Sequence, residues 1–228
     1  ESVATPSTTK APKSSNLESA LLGLSTRMTP VQVASLRGML SNVVQTLCPE
    51  GRFPEDPQQR TRFRNVLKVL GTIQGHARMT PNGVCYRGRP DFMTDDYLAA
   101  IQREAAEVVR PRALWQRGHM LGLGGPLADE LARSSVLREL VEEHAGPVVP
   151  TEIASYLFYD EEGAGLRAHV DTDVFSLNVN IMLRHDAEKA QKSHLFIFSV
   201  DGKTREEVLL SPGEIIITFG DSIVHGRA

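Results

Sequence analysis

Apolar positions recur along the chain in two rhythms, and the change from one to the other divides it. After Thr29-Pro30, a helix start with threonine as cap and proline in the first turn, Leu36, Met39, Leu40, Val43, Val44 and Leu47 recur at helical spacing. Phe63, Val66, Leu67, Leu70 and Ile73 form a second stripe, which predicts a helix over 58–73. Thr94-Asp95-Asp96 opens a third helix with Leu98, Ile101 and Val108 inward, its acids suited to the positive N-terminal end. A fourth is predicted from Leu127 to His144, closed by Gly146. Between the second and third, ARMTPNGVCYRGRPDFM reads as loop with a short strand around Val84–Tyr86.

From about residue 147 the rhythm shortens. EIASYLFY, DVFSLNVNIML, SHLFIFSV, EEVLL and EIIITF are rich in β-branched and aromatic residues, and turn formers separate them. Short strands at this spacing predict a sandwich or barrel. In 176–183, Ser176, Asn178, Asn180 and Met182 fall on one face of a strand, and Leu177, Val179, Ile181 and Leu183 on the other. The aliphatic face is expected against the N-terminal helices, the Ser/Asn face against a polar cavity that supplies its amides with partners. The expected class is therefore α+β, with a mainly helical region over 17–146 packed on a β core over 147–228. Residues 1–16, built of Ser, Thr, Ala, Pro and Lys, read as a flexible tail.

Composition narrows the partners. The chain has 228 residues, 41% of them hydrophobic, and a formal net charge of −3 with no long basic run, so neither nucleic acid nor an anionic membrane is an expected partner. No apolar run approaches the roughly 20 residues of a membrane span. Cys48 and Cys85 lie far apart and form no CxxC pair, which favours a reducing, cytoplasmic compartment over a disulfide scaffold.

His169-Val170-Asp171 follows the first C-terminal strand, and residues two apart on an extended segment point the same way, so an imidazole and a carboxylate can share one ion. His225 follows EIIITF and the turn Gly220-Asp221. Two histidines and a carboxylate on one face of an octahedral ion leave three positions open, whereas a structural zinc site uses four protein ligands. Asp173 is an alternative carboxylate for the same ion.

YLFYDEEGAGLRAHVDTD and LLSPGEIIITFGDSIVHG resemble two segments of the 2-oxoglutarate- and iron(II)-dependent oxygenases. The first has a strand, a Gly-bearing turn and HxD; the second a Pro-Gly turn, an aliphatic strand, a short turn and the distal histidine. The resemblance covers about 150–228 and implies a double-stranded β-helix, or jelly roll, buttressed by N-terminal helices. It also implies iron(II) on His169, Asp171 and His225, with 2-oxoglutarate and O2 as co-substrates. 2-Oxoglutarate would be oxidised to succinate and carbon dioxide while an unactivated C–H bond is hydroxylated. A small-molecule substrate, an amino acid or natural-product intermediate, is the leading expectation; a peptide or protein side chain is the nearest alternative. A non-redox cupin-like metal-binding module and a hydrolase or isomerase on the same triad are the competing classes. Asp171 favours hydroxylation over halogenation, in which a small residue replaces the carboxylate.

The family pattern departs at one point. An Arg or Lys usually follows the distal histidine by about ten residues to pair with the far carboxylate of 2-oxoglutarate, and this sequence ends at Ala228. The jelly roll is accordingly expected to continue past that residue. Arg227, two positions after His225, is a candidate for the role, with Tyr159 and Asn180 as further co-substrate contacts and Arg167 directed to a substrate carboxylate or a surface acid. His185 and His194 read as the ends of a solvated hairpin loop, and His76, His119 and His144 as histidines without a ligand partner nearby. The glycine-rich GLGGP at 122–126 is not expected to hold phosphate, because no clear buried strand precedes it; RPRALWQRGHM, with Trp115 and Arg117, reads as an irregular segment able to cover the site.

Overall fold

The computed structural model describes residues 23, 26–49, 51–73, 76, 80, 82–161, 163–185 and 193–228, with Asp173 described in its backbone alone. The expected tail at 1–16 and most of the loop between His185 and His194 lie outside them. The chain is α+β, and every strand pairing is antiparallel.

Two helices come first. Helix α1 (Pro30–Leu47) starts where Thr29 accepts from the backbone N–H of Gln32 while the Gln32 side chain accepts from the backbone N–H of Thr29, a reciprocal cap. It packs beside α2 (Pro57–Ile73). Strand β1 (Val84–Gly88) leads to α3 (Asp95–Arg103), which Thr94 caps through Tyr97 and which runs on as a wider π-type turn over Glu104–Val109. The hairpin β2 (Leu114–Gln116) and β3 (His119–Leu123) follows, then α4 (Pro126–Arg133) and α5 (Ser135–Ala145).

The remaining strands are β4 (Ser155–Phe158), β5 (Leu166–His169), β6 (Asn178–Ile181), β7 (Leu195–Phe198), β8 (Arg205–Val208), β9 (Ile215–Thr218) and β10 (His225–Arg227). They form sheets ordered β1-β9-β6, β5-β10-β7-β8 and β2-β3-β4. So the N-terminal part is not helix alone: β1 borders β9, and the β2–β3 hairpin joins β4.

Apolar clusters show how the layers meet. Phe63, Leu67 and Leu70 of α2 and Val44 of α1 pack on Phe196, Phe198, Ala168 and Val224 of the β5-β10-β7-β8 side. Phe53, Phe63 and Phe198 meet edge to face, with centroids 5.0 to 5.9 Å apart. Leu98, Ile101, Leu131 and Val141 from α3, α4 and α5 cover Ile215 and Ile217 of β9. A third cluster, including Ile197 of β7 and Ile216 of β9, joins the two sheets through their facing sides.

The alternation predicted for 176–183 is present. Leu177, Val179, Ile181 and Leu183 pack with the α3–α5 cluster, Met182 joins the cluster between sheets, and Asn178 and Asn180 sit opposite Thr218 and Ile216.

Two expectations change. The single helix over 127–144 is broken at Ser134, whose backbone is extended and whose hydroxyl caps α5 through the N–H of Leu137. A serine that binds its own local backbone offers an alternative to continuing the helix. The segment around Trp115 and Arg117 is a tight hairpin, with Arg117 at φ 51° and Gly118 at φ 96°, rather than irregular chain.

Candidate metal centre

Three backbone elements bring the triad together. His169 ends β5, His225 begins β10, and the two are directly opposite in the antiparallel register. Between His225 and Arg227 that register slips, so β5 carries an extra residue, and such a bulge re-aims the side chains beside it. Gly226 admits the crowding: a Cβ there would lie 2.5 Å from the Leu166 carbonyl oxygen and 2.5 Å from the Phe196 ring. Asp171 lies beyond β5, and its N–H donates to the Gly220 carbonyl at 2.9 Å, which ties the loop after β5 to the turn after β9.

The imidazole rings of His169 and His225 are 4.5 Å apart between centroids. His169 Nε2 is 3.3 Å from Asp171 Oδ1, and His225 Nε2 is 3.2 Å from Asp171 Oδ2. Each ring is oriented from behind. His169 Nδ1 meets the Arg167 carbonyl at 2.8 Å, and His225 Nδ1 meets the Ile223 carbonyl at 3.1 Å. A carbonyl only accepts, so each Nδ1 carries a proton, which leaves Nε2 as the ring nitrogen that faces Asp171 and that an ion would take once its own proton is displaced; backing of this kind orients a metal-binding histidine. Ligand atoms of the three residues all lie within 4.8 Å of one another, and among the described residues no other group of His, Cys, Asp or Glu meets that condition. Borderline nitrogen ligands with one hard oxygen suit a divalent first-row metal.

Charge agrees with this geometry. Burial works to raise the Asp171 carboxyl, but the adjoining His225 and His169 overcome it and hold the group well below the usual carboxylate range. Burial works to lower His225, and the Asp171 charge outweighs it, so that ring is raised above an ordinary histidine.

Helix α1 reaches both loops beside the His/Asp/His cluster. Ser41 Oγ accepts from the N–H of Val170, between His169 and Asp171, at 3.2 Å. Arg37 lies 3.7 Å from Asp221, which also meets His76 Nδ1 at 3.3 Å and accepts from Ser222. The ring of His76 stacks on Phe219 at 5.0 Å. None of these supporting residues carries a motif of its own; in the sequence, Ser41 and Arg37 are simply polar positions of an amphipathic helix.

The triad opens on a cavity of about 1950 Å³ whose lining includes β4 and β6. Asn178, Asn180, Tyr159 and Arg227 all line it. Arg227 is mostly buried, its guanidinium 4.7 Å from the centroid of Tyr159 and its Nε donating to Ser193 Oγ at 2.8 Å. His119, which the sequence left without a role, comes close to the same group: it is 6% exposed, its ring lies 5.4 Å from Tyr159, and its Nδ1 is buried without a hydrogen-bond partner. Burial keeps it neutral, with repulsion from His169 and Arg117 acting the same way. The register of the β2–β3 hairpin places it there, and strands of three and five residues give too short an alternation to reveal that from sequence.

Asn180 and its neighbour on the same face, Asn178, both line the cavity, and Asn178 also donates to Asp171 Oδ2. His194 lies against Arg205 and Glu207, away from the triad. His144 packs on Tyr86 at 4.8 Å. The side chain of Asp173 lies outside the described residues. GLGGP does follow a strand, β3, yet its glycines are taken up by packing: a Cβ on Gly125 would lie 2.4 Å from Glu104 Oε1. Among the described residues no helix is long and apolar enough to cross a membrane. No protein-family model, curated protein or solved structure matches the chain.

Proposed function

We propose that the chain is a non-haem iron(II)- and 2-oxoglutarate-dependent oxygenase that hydroxylates an unactivated C–H bond of a small molecule. The observation that carries this reading is the triad itself: two imidazoles, each locked from behind so that Nε2 faces a common carboxylate, at the wall of a large cavity. A three-ligand donor set leaves half of an octahedral sphere for co-substrate and dioxygen. Iron(II) held there would supply the reductive activation of dioxygen that couples 2-oxoglutarate oxidation, to succinate and carbon dioxide, to substrate hydroxylation.

The chain's own residues do the rest. His169, Asp171 and His225 hold the ion. Arg227 follows His225 on the same strand face, about 7 Å further along. That spacing lets a dicarboxylate reach from the ion to the guanidinium. Tyr159 stiffens the guanidinium from one side and Ser193 from the other, so the fork is set before the ligand arrives. Asn180 offers an amide to the cavity from the facing sheet. At about 1950 Å³ the cavity exceeds the roughly 300–1,000 Å³ of ordinary small-ligand sites, leaving room for co-substrate and substrate together.

The jelly-roll reading belongs to this proposal. β5-β10-β7-β8 is a four-stranded antiparallel sheet facing β9 and β6, and two facing antiparallel sheets of short strands support that reading.

The test needs no knowledge of the substrate. Protein loaded with Fe(II) without oxygen, then given 2-oxoglutarate and O2, is expected to release succinate, and His225→Ala to abolish both metal binding and release. Arg227→Ala is expected to raise the KM for 2-oxoglutarate by about tenfold or more, as loss of a charge-assisted hydrogen bond of ~2 kcal/mol requires. Tight metal binding with neither oxygen uptake nor succinate would instead favour the non-redox metal module.

A further inference from the structure

Asp171 could in principle meet an ion with one oxygen or with both, and the choice decides how many coordination positions remain. Two imidazoles and one carboxylate oxygen fill three of six; a carboxylate bound through both oxygens fills four and leaves too few for a two-point co-substrate together with dioxygen. The surroundings of Asp171 are not symmetrical. Each oxygen faces one histidine, Oδ1 His169 and Oδ2 His225, but Oδ2 alone also accepts a hydrogen bond from the Asn178 amide. Asn178 is itself held in place: it lies on β6, directly opposite Thr218 of β9. Two residues past Thr218 comes Gly220, where a Cβ would lie 2.2 Å from Asp171 Oδ2 and 2.5 Å from Asn178 Nδ2. The amide–carboxylate pair thus occupies the volume of a missing side chain. The Gly220 carbonyl also holds the N–H of Asp171, so backbone and side chain of the ligand are fixed to the same turn.

We infer that Asn178 is a positioning residue that restrains Asp171 to a single ligand oxygen, and that Gly220 is the space that permits it. The inference rests on the metal reading above but not on the identity of the co-substrate. An oxygen already engaged by an amide donor is a poorer ligand, and the amide fixes the plane of the carboxylate. An acceptor or an apolar group at 178 would free Oδ2 to turn toward the ion.

Two measurements test it on the intact chain without 2-oxoglutarate. The first compares Co(II)-loaded wild type and Asn178→Leu. A shifted cobalt absorption spectrum, with unchanged circular dichroism, is expected once the carboxylate can present both oxygens. An identical cobalt absorption spectrum would overturn the inference. The second needs no variant: wild type loaded with Mn(II) in ¹⁷O-enriched water should report three exchangeable waters on the metal. Two waters would mean a carboxylate bound through both oxygens and would overturn it as well. Failure of succinate release with both results in place would sink the oxygenase reading and leave the role of Asn178 standing.

Discussion

At the scale of single residues, burial decides which groups can react. Cys48 is enclosed between α1 and the β5-β10-β7-β8 sheet, and burial pushes its thiol up to about 11; Cys85 on β1 is pushed up to about 11 for the same reason. Thiolate, not thiol, is the nucleophile, so neither is a reactive cysteine at neutral pH. Ellman's reagent at pH 8 should therefore label neither on the folded chain and both in denaturant; rapid labelling of Cys48 under native conditions would contradict the packing described. The same scale shows what was legible beforehand. That His169 and Asp171 lie together could be read from spacing, because residues two apart on extended chain face one side whatever the fold, whereas His225 joins them only through the pairing of β10 with β5. Asn178 could not be separated from Asn180, since both share a strand face. Only the pairing of β6 with β9 puts one of them beside Gly220 and Asp171.

Among elements, Glu104 couples three that carry no ligand. It sits 7% exposed at the start of the π-type turn after α3. Its carboxylate accepts from the N–H of Leu127 at 2.6 Å and of Ala128 at 3.1 Å, and from the Tyr156 hydroxyl at 2.6 Å. Helix α4 has glycine at its cap position and no side-chain cap of its own, so Glu104 supplies the acceptor its first turn lacks, with a negative charge at the positive end of the helix. Burial, with help from this hydrogen bond, drives Tyr156 far above an ordinary tyrosine, which keeps it a donor. Glu104→Ala strands two helix N–H groups and a buried hydroxyl and should cost about 3 kcal/mol in chemical denaturation. A loss under about 0.5 kcal/mol would show that water replaces the carboxylate without penalty. Here the sequence was less informative. Periodicity located the helices but not the break at Ser134, because a serine inside an amphipathic repeat looks the same whether it caps a helix or lies on its exposed side. The β2–β3 hairpin escaped notice because its strands are three and five residues long, and Leu114 and Trp115 are both exposed rather than alternating.

For the molecule as a whole, the site is where separate layers are joined. His169 and His225 belong to one sheet, Asn178 to the other, and Ser41 and Arg37 reach the ligand loops from α1. An ion bound there should stabilise the entire fold, by ~2.7 kcal/mol at a concentration a hundred times its Kd. The pH dependence follows from the two shifted groups, and the metal-free and metal-bound forms move in opposite directions. Without metal, the raised His225 contributes stability fully present below its ordinary value of 6.5 and lost as pH climbs through its folded value. The lowered Asp171 contributes stability present above its ordinary 3.8 and lost as pH falls through its own folded value. Their mutual attraction is therefore greatest between those two ordinary values. Metal must displace the proton from His225, and a raised ring holds that proton more tightly. The gain in Tm on adding Co(II) should consequently be small near pH 6 and grow as pH rises toward 8, while His225→Ala should show no gain at any pH. A gain that is constant across this range in the wild type would mean that the ion binds without displacing the His225 proton, and so does not use that ring.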